Sequence, residues 1–431
     1  MRLLASHVAV ATGGRLVGDD VAVDGASFDS RALTSGQLFV PIVAERDGHD
    51  FIDAAVAAGA VAYLTSEEPA DDLATAIVVP DTAAALMDLA AWARRRLDVP
   101  VVGVTGSVGK TSTKDFIAAA LGASRTVHVN DRSFNNEQGL PVTVLAMPDA
   151  AEALVVEMGM RGYGEIARLC EVAAPTIGVV TAVAAAHTER VDGIEGVARA
   201  KRELVEALGE GGTAILNADD HRVAAMAEHA GDAVVTYGID GDVRITGLEL
   251  DELARPRFRI ETPWGSGEVA LSVSGAHMAS NAAAAIAVAG VVEGRIDAAC
   301  SALADASVSR MRMEVARAAS GAIVVNDAYN ANPDSMLAAL DALAGIRANR
   351  RVAVVGLMAE LADPAVAHRH IAEEASARAI ELIAVGTDLY GVEPADDPVA
   401  ALGGIGEGVA VLVKASRVAG LERIADELLA G

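Results

Sequence analysis

The sequence predicts an α/β protein of three domains, and three observations carry that reading. The chain has 431 residues, more than one compact core accommodates. Short β-branched runs such as ALVVEMG, TIGVVTAV and GTAILNA recur between helical stretches, the pattern of parallel strands covered on both faces. The strand-helix rhythm also restarts after residue 84 and again after residue 306, which divides the chain into 1–84, 85–306 and 307–431.

In the first segment, MRLLASHVAVATGGRLVGDD reads as a short helix ended by Gly13-Gly14, then a strand. Ser6 and His7 interrupt any apolar h-region, so it is not expected to be a signal peptide. SGQLFVPIVAERDGHDFIDAAVAAGAVAYLTS follows as strand, polar loop, Ala-rich helix and strand. DTAAALMDLAAWARRRLDVP is a helix with a basic last turn, closed by Pro100, and is expected to carry the chain into the second domain.

The second segment opens on the buried strand VPVVGVTG. After several strand-helix units, RITGLELDELARPRFRIETPWGSGEVALSVSG alternates like antiparallel strands and is expected as a small β-insert. AHMASNAAAAIAVAGVV closes the segment as a helix. In the third, AIVVNDAYNA, RRVAVVGLM, AIELIAVG and VAVLVKAS are four strand candidates with helices between them.

Bulk properties exclude several functions. Aromatic residues are 3% of the chain, too few for a stacking platform for single-stranded nucleic acid. A formal net charge of −26 repels phosphate backbones, so no nucleic-acid partner is expected. Apolar runs fall short of about 18 residues, so no membrane span is expected. The two cysteines, Cys170 and Cys300, stand apart in helical contexts and suit a reducing cytoplasm. A cytoplasmic monomer is expected.

VVGVTGSVGKTSTKDF carries the first chemistry. Val101 to Val104 are expected as strand, Thr105, Gly106, Ser107, Val108 and Gly109 as the turn, and Lys110 onward as helix. Gly106 and Gly109 let backbone N–H groups face phosphate oxygens at a helix N-terminus. Lys110 can reach the β- and γ-phosphates of ATP, and the Thr111 hydroxyl can ligate Mg²⁺. The alternative is an ordinary glycine-containing turn with an exposed lysine. The usual loop has a glycine five positions before the Gly-Lys pair, where this chain has Val104.

The variant TGSVGKT resembles the ATP loop of the Mur ligases, the amide-forming enzymes of peptidoglycan assembly, and of the related folylpolyglutamate synthetases. The resemblance implies a UDP-substrate domain, a central P-loop ATPase domain with a parallel sheet, and a Rossmann-like C-terminal domain. It gives roles to Glu157 at a strand end, His187 just past another strand, and Lys201 on an amphipathic helix. Taken singly, these are a solvated acid, a loop residue and a surface lysine. In the family pattern the glutamate and histidine serve Mg²⁺, and the lysine is a carbamate. Thr111, Glu157, His187 and Lys201 are then the metal set, and Lys110, Glu157, His187 and Lys201 the catalytic set.

The same resemblance adds Asn281, Arg312, Asp327 and Asn330 to the nucleotide-binding set. Asn135 and Asn136 of SFNNEQGLP, together with Asn332, go to the substrate side. Ser30 and Arg31 of FDSRAL and Asp47 and His49 of RDGHDF are similar to UDP-sugar-binding elements, although Asp and Gly there also suit plain turns. NDAYNANPDSM resembles the signature of the family member that joins D-Ala-D-Ala to UDP-N-acetylmuramoyl-tripeptide. The preceding ligase would show a His-containing version and a D-N-P-R segment, which is absent. GLMAEL, His368 and KASR from Lys414 fit as well. Ala415 and Ala362 stand where glycines are usual, and the loop before His368 is slightly short. Two other readings are a ligase acting on folate or another peptide, which the UDP elements disfavour, and a non-catalytic ATP-binding scaffold, which should have lost Lys110, Thr111, Glu157, His187 or Lys201.

Overall fold

The computed structural model describes residues 1–69, 73–130, 134–184, 191–231, 233–359, 361 and 363–430. Three sheets of five, nine and five strands organise it, beside a short pair formed by Arg2–Leu4 and Ala22–Asp24. The helix Ala5–Thr12 ends at Gly13, whose φ of 63° gives the left-handed cap expected there. The first five-stranded sheet runs Arg15–Val17, Thr75–Val78, Ala62–Thr65, Leu38–Phe39, Ala26–Ser27, and only its first pair is antiparallel.

Helix α1 (Thr82–Arg94) joins this sheet to the next. Asp81 caps it by accepting from the N–H groups of Ala83 and Ala84, a contact worth about 1 kcal/mol. The basic last turn has a structural use. Arg94 turns inward and donates to the carbonyls of Leu97, Ala173 and Ala174 at 2.8, 2.7 and 3.1 Å. Two of these acceptors close the helix Glu165–Ala173, whose last carbonyls otherwise lack partners.

The nine-stranded sheet holds β1 (Val101–Thr105), β2 (Val127–Val129), β3 (Ala153–Glu157), β4 (Ile177–Val180), β5 (Thr213–Asn217), β6 (Ala233–Gly238), β7 (Val243–Leu250), β8 (Pro256–Thr262) and β9 (Gly265–Ala270). Their spatial order is β9-β8-β7-β6-β5-β4-β1-β3-β2. The alternating segment is not a separate insert. β7 pairs parallel with β6 through Tyr237 and Gly238, and β8 and β9 continue the same sheet antiparallel. β1 also runs one residue beyond its expected end, because Thr105 pairs with Val180.

Three helices pack together on this sheet: α2 (Lys110–Gly122), which follows the phosphate-loop turn, α4 (His277–Glu293) and the short helix Asp297–Ala304. An amphipathic helix, α3 (Gly193–Glu206), lies against β4 and β1. α4 is buried on every side from Ala282 to Ala289, as an all-apolar helix must be. Its alanines bring it close against α2. Chain order reverses at β1, which has β3 on one side and β4 on the other. That switch point is where a ligand crevice opens at the carboxyl ends of a parallel sheet.

The last sheet orders β10 (Glu314–Arg317), β11 (Ile323–Asn326), β14 (Val409–Lys414), β12 (Arg350–Val355) and β13 (Glu381–Ala384). All four expected strands are parallel. β10 is an antiparallel edge strand that sequence reading passed over. Helix α5 (Pro333–Gly345) starts behind Asn332, whose side chain accepts from the Ser335 N–H. Helix α6 (Pro364–Ala377) buries His368 completely. That ring is a structural pin. Its Nε2 accepts from the Met358 N–H at 2.9 Å, its Nδ1 contacts the Pro364 carbonyl at 2.6 Å, and it meets Tyr390 edge-on.

Burial holds His368, and likewise His128 and His277, below the ordinary histidine value of 6.5. A lowered folded value means that the unfolded chain takes up the proton first, so stability is lost as pH falls below about 6.5. The thermal midpoint is expected to drop between pH 7 and 5, and less steeply in His368→Gln. An unchanged slope in that variant would mean that His368 titrates as it does in the unfolded chain.

Candidate active site

Thr105, Glu157 and Thr181 stand at or just past the carboxyl ends of β1, β3 and β4. They bring three loops to one crevice. The crevice, about 740 Å³, lies between the nine-stranded sheet and the last sheet and is lined from both.

The phosphate loop forms its floor. Gly106 has φ +152°, and a Cβ there would lie 1.8 Å from the Thr181 hydroxyl. Gly109 has φ +82°, and its Cβ would lie 2.8 Å from the Asn281 side-chain oxygen. Glycine is required at both by backbone conformation and by close approach. Thr181 was not singled out from sequence, yet it fastens the loop by donating to the Val108 carbonyl at 2.6 Å. Lys110 folds back onto the carbonyls of Gly106 and Ser107 at 2.8 and 3.4 Å. Burial holds its ammonium below the usual lysine range, Glu157 opposes that shift, and Arg312 adds to it.

Glu157 is 3% exposed and fully engaged. Its two oxygens accept from Thr111 Oγ1 and Asn135 Nδ2, both at 2.7 Å, and its own N–H donates to Asn130 Oδ1. Asn130, also missed from sequence, is completely buried and receives Lys114 Nζ on its carbonyl. Thr111 and Glu157 thus present two hard oxygen donors side by side beneath the loop. Among the described residues no three His, Cys, Asp or Glu side chains gather as a metal cage. Mg²⁺ does not need one, because it takes one or two carboxylates and completes its shell with water and phosphate oxygens. The Thr111–Glu157 pair fits that ion. His187, the third expected ligand, lies outside the described residues.

Lys201 reaches the same crevice from α3 and is 3% exposed. Burial, and then the neighbouring Lys110, holds its amine well below the usual lysine range. The surface-lysine reading is therefore wrong for this residue.

From the linker just before the last sheet, Arg312 donates to Thr111 Oγ1 at 3.0 Å and its guanidinium lies 4.2 Å from the Tyr329 ring centre. Its Nε is buried with no partner among the described residues. Asp327 pairs with Lys414, which also donates to the Asn330 carbonyl at 2.9 Å. Both members are buried, and breaking such a pair from one side costs about 3–5 kcal/mol. Lys414→Met is therefore expected to lower the thermal midpoint by several degrees. An unchanged melting curve would show the pair to be dispensable.

The cavity gathers Gly106, Ser107, Val108, Gly109, Lys110, Thr111, Glu157 and Lys201 with Asn135, Asn136, Asn281, Arg312, Asp327, Asn330 and Asn332. His277, Asn217 and Asp219 line it too, and nothing in their local sequence signals that. Ser30, Arg31, Asp47 and His49 do not line it. Arg31 makes two hydrogen bonds to Asp29, and His49 contacts Asp47 at 2.7 Å while its Nε2 accepts from the Ser66 N–H. The first-domain elements are thus closed on themselves.

Comparison with known proteins agrees with this geometry. Residues 104–289 match the model of the Mur ligase middle domain, and residues 311–430 that of the Mur ligase, glutamate ligase domain. The chain is 39% identical to the UDP-N-acetylmuramoyl-tripeptide-D-alanyl-D-alanine ligase of Mycobacterium tuberculosis (strain CDC 1551 / Oshkosh), with 94% of this chain and 91% of the relative covered. It is 34% identical to the ligase of that name from Escherichia coli (strain K12), with 95% of each covered. A crystal structure of MurF from Acinetobacter baumannii superimposes with a TM-score of 0.87 at 26% identity, covering 100% of this chain and 99% of that one. MurF ligase from Thermotoga maritima in complex with ADP gives 0.81 at 26% identity, covering 94% and 97%. Two family models that together cover most of the chain, and relatives 34–39% identical over more than nine-tenths of it, show that the chain belongs to the Mur ligase family.

Proposed function

We infer that this chain is an ATP-dependent ligase that joins D-alanyl-D-alanine to the terminal carboxylate of UDP-N-acetylmuramoyl-tripeptide. The products are UDP-N-acetylmuramoyl-pentapeptide, ADP and phosphate, in peptidoglycan precursor synthesis. The observation that carries the reading is the union of one crevice, with phosphate loop, acid and cation, with near-full-length similarity to ligases of that name.

The substrate carboxylate attacks the γ-phosphate of ATP, ADP leaves, and an acyl phosphate forms. The dipeptide amine then attacks the acyl carbon, and phosphate leaves from the tetrahedral intermediate. Bringing a carboxylate to a phosphate opposes two anions, so the residues that matter supply positive charge and hold geometry. Lys110 and Arg312 supply charge from opposite walls of the crevice. Thr111 and Glu157 would hold Mg²⁺, which when bound neutralises charge on the phosphate oxygens. The crevice walls limit the water that would hydrolyse the acyl phosphate. Ser30, Arg31, Asp47 and His49 are assigned to the UDP-sugar, which requires Arg31 to exchange Asp29 for diphosphate.

A direct experiment is amine competition. D-Ala-D-Ala is expected to be incorporated far better than meso-diaminopimelate, L-lysine or L-glutamate, read by mass spectrometry of the product. Preference for a single amino acid would overturn the assignment.

Lys201 is proposed to be a carbamate in the working enzyme. Carbon dioxide reacts only with the neutral amine, and the lowered pKa raises the neutral fraction at neutral pH. The product is an anion, which converts repulsion with Lys110 into attraction. Activity is expected to fall in carbon-dioxide-free buffer and to return with bicarbonate. Lys201→Ala should lose most activity and regain part of it with a small carboxylic acid. Full activity of Lys201→Ala would exclude the role.

A further inference from the structure

The segment that joins the last sheet to the rest of the chain, Asp305–Met313, is held by the phosphate-loop helix. Asp115 lies just over one turn beyond Lys110 on α2. Its Oδ2 accepts from both the N–H and the hydroxyl of Ser309, at 2.7 and 2.8 Å. Three residues later comes Arg312, whose guanidinium touches Thr111, again on α2. The chain between Ser309 and Arg312 does not follow relaxed backbone. Met311 and Met313, on either side of Arg312, have φ of +61° and +51°, left-handed values that strain a non-glycine residue. Tethers on both sides enforce the bend: the Tyr329 N–H donates to the Met311 carbonyl, and the Met313 N–H to Asp327.

We propose that Asp115 is a positioning residue: its carboxylate fixes the start of this bent linker so that Arg312 is delivered to the phosphate loop. The proposal rests on the ligase reading and extends it to a residue that lines no part of the crevice.

The other carboxylate oxygen explains why an acid is used there. Asp115 Oδ1 pairs with Lys114 Nζ at 3.1 Å, and that ammonium also donates to the Asn130 carbonyl. Asn130 in turn accepts the N–H of Glu157. One carboxylate therefore links the linker, through Lys114 and Asn130, to the acid beneath the loop. Asparagine has the same shape but offers one acceptor and one donor. With its oxygen toward Ser309 it turns an N–H₂ against a buried ammonium, and with the reverse orientation Ser309 is left with no acceptor.

The test uses the full chain and the variants Asp115→Asn, Asp115→Glu, Ser309→Ala, Arg312→Lys and their pairs. Asp115→Asn should lower kcat by about tenfold to a hundredfold at saturating ATP, the range expected of a displaced charge. Asp115→Glu should recover part of that loss. The Asp115→Asn/Ser309→Ala pair should be no worse than Asp115→Asn alone, because both remove one contact. Arg312→Lys should cost wild type far more than it costs Asp115→Asn, since in that background Arg312 is already misplaced.

A purely structural role would lower the melting temperature and leave kcat per folded molecule, and the Arg312→Lys ratio, unchanged. That result, or multiplying losses for Asp115→Asn and Ser309→Ala, overturns the proposal. The same cycles are to be read on ADP affinity by titration calorimetry. Should wild type form no amide with any amine, the ligase reading fails while the Asp115–Arg312 coupling is still decided on ADP.

Discussion

Lys110→Ala is expected to abolish amide formation and leave the fold intact. The side chain packs in no apolar core. Its hydrogen bonds go to the carbonyls of its own loop, Gly106 and Ser107. Those carbonyls are what a free loop lysine grips, and a nucleotide's phosphate oxygens are better partners for the same ammonium. Arg161, Arg312 and Lys414 also line the crevice, but Lys414 is paired with Asp327. Arg312 comes from the linker before the last sheet, and the Lys201 amine is held well below the usual lysine range. Removing a preorganised charge contact to a transferring group costs about 3–4 kcal/mol, or two to three orders of magnitude in kcat. Phosphate release with UDP-N-acetylmuramoyl-tripeptide, ATP and D-Ala-D-Ala measures the loss, and a melting curve within about two degrees of wild type shows that the fold is kept. Turnover near wild type at saturating ATP would remove the loop lysine from the mechanism.

What the sequence showed, and what it hid, divides by the range of the interactions. Gly106, Gly109, Lys110 and Thr111 are legible because a strand, a turn and a helix start lie within ten residues, and the chemistry is local. Glu157 is legible for a related reason, since an acid ending a β-branched run marks the carboxyl end of a strand, where an open parallel sheet meets its ligand. Thr181 and Asn130 are not. Thr181 meets the loop only because β4 lies beside β1, and Asn130 meets Glu157 only across the β3 strand end. Neither strand order nor register is written in the residues around them. The alternating stretch after residue 243 carried the right local pattern but no sign of which sheet edge it would join. β10 escaped because EVAR is short and half polar. In the first domain, Arg31 and His49 each pair with an aspartate two residues away. A turn-forming Asp and a phosphate-seeking Arg read alike until the pairing is seen.

The second large effect belongs to Gly106→Ala, and it should exceed that of the other loop glycine. The added Cβ would lie 1.8 Å from Thr181 Oγ1, 3.1 Å from Thr181 Cβ and 3.2 Å from the Ala182 nitrogen. The hydroxyl cannot simply rotate aside, because it is donating to Val108 and helps hold the loop. The φ of +152° adds strain that no repacking relieves. The loop must therefore shift off β4, which scatters the N–H groups that face phosphate. Gly109→Ala meets only the far end of the Asn281 side chain, at 2.8 Å, and should be milder. Gly122→Ala, on the same helix with nothing within 4 Å, should bind normally. ADP affinity by calorimetry is expected to fall about a hundredfold or more for Gly106→Ala, from a few kcal/mol of clash and strain. Gly106→Ala/Thr181→Ala should regain part of it, since the oxygen clash goes and the backbone strain stays. Equal affinities for the Gly106 and Gly122 variants would mean that the loop does not bind phosphate in the conformation described.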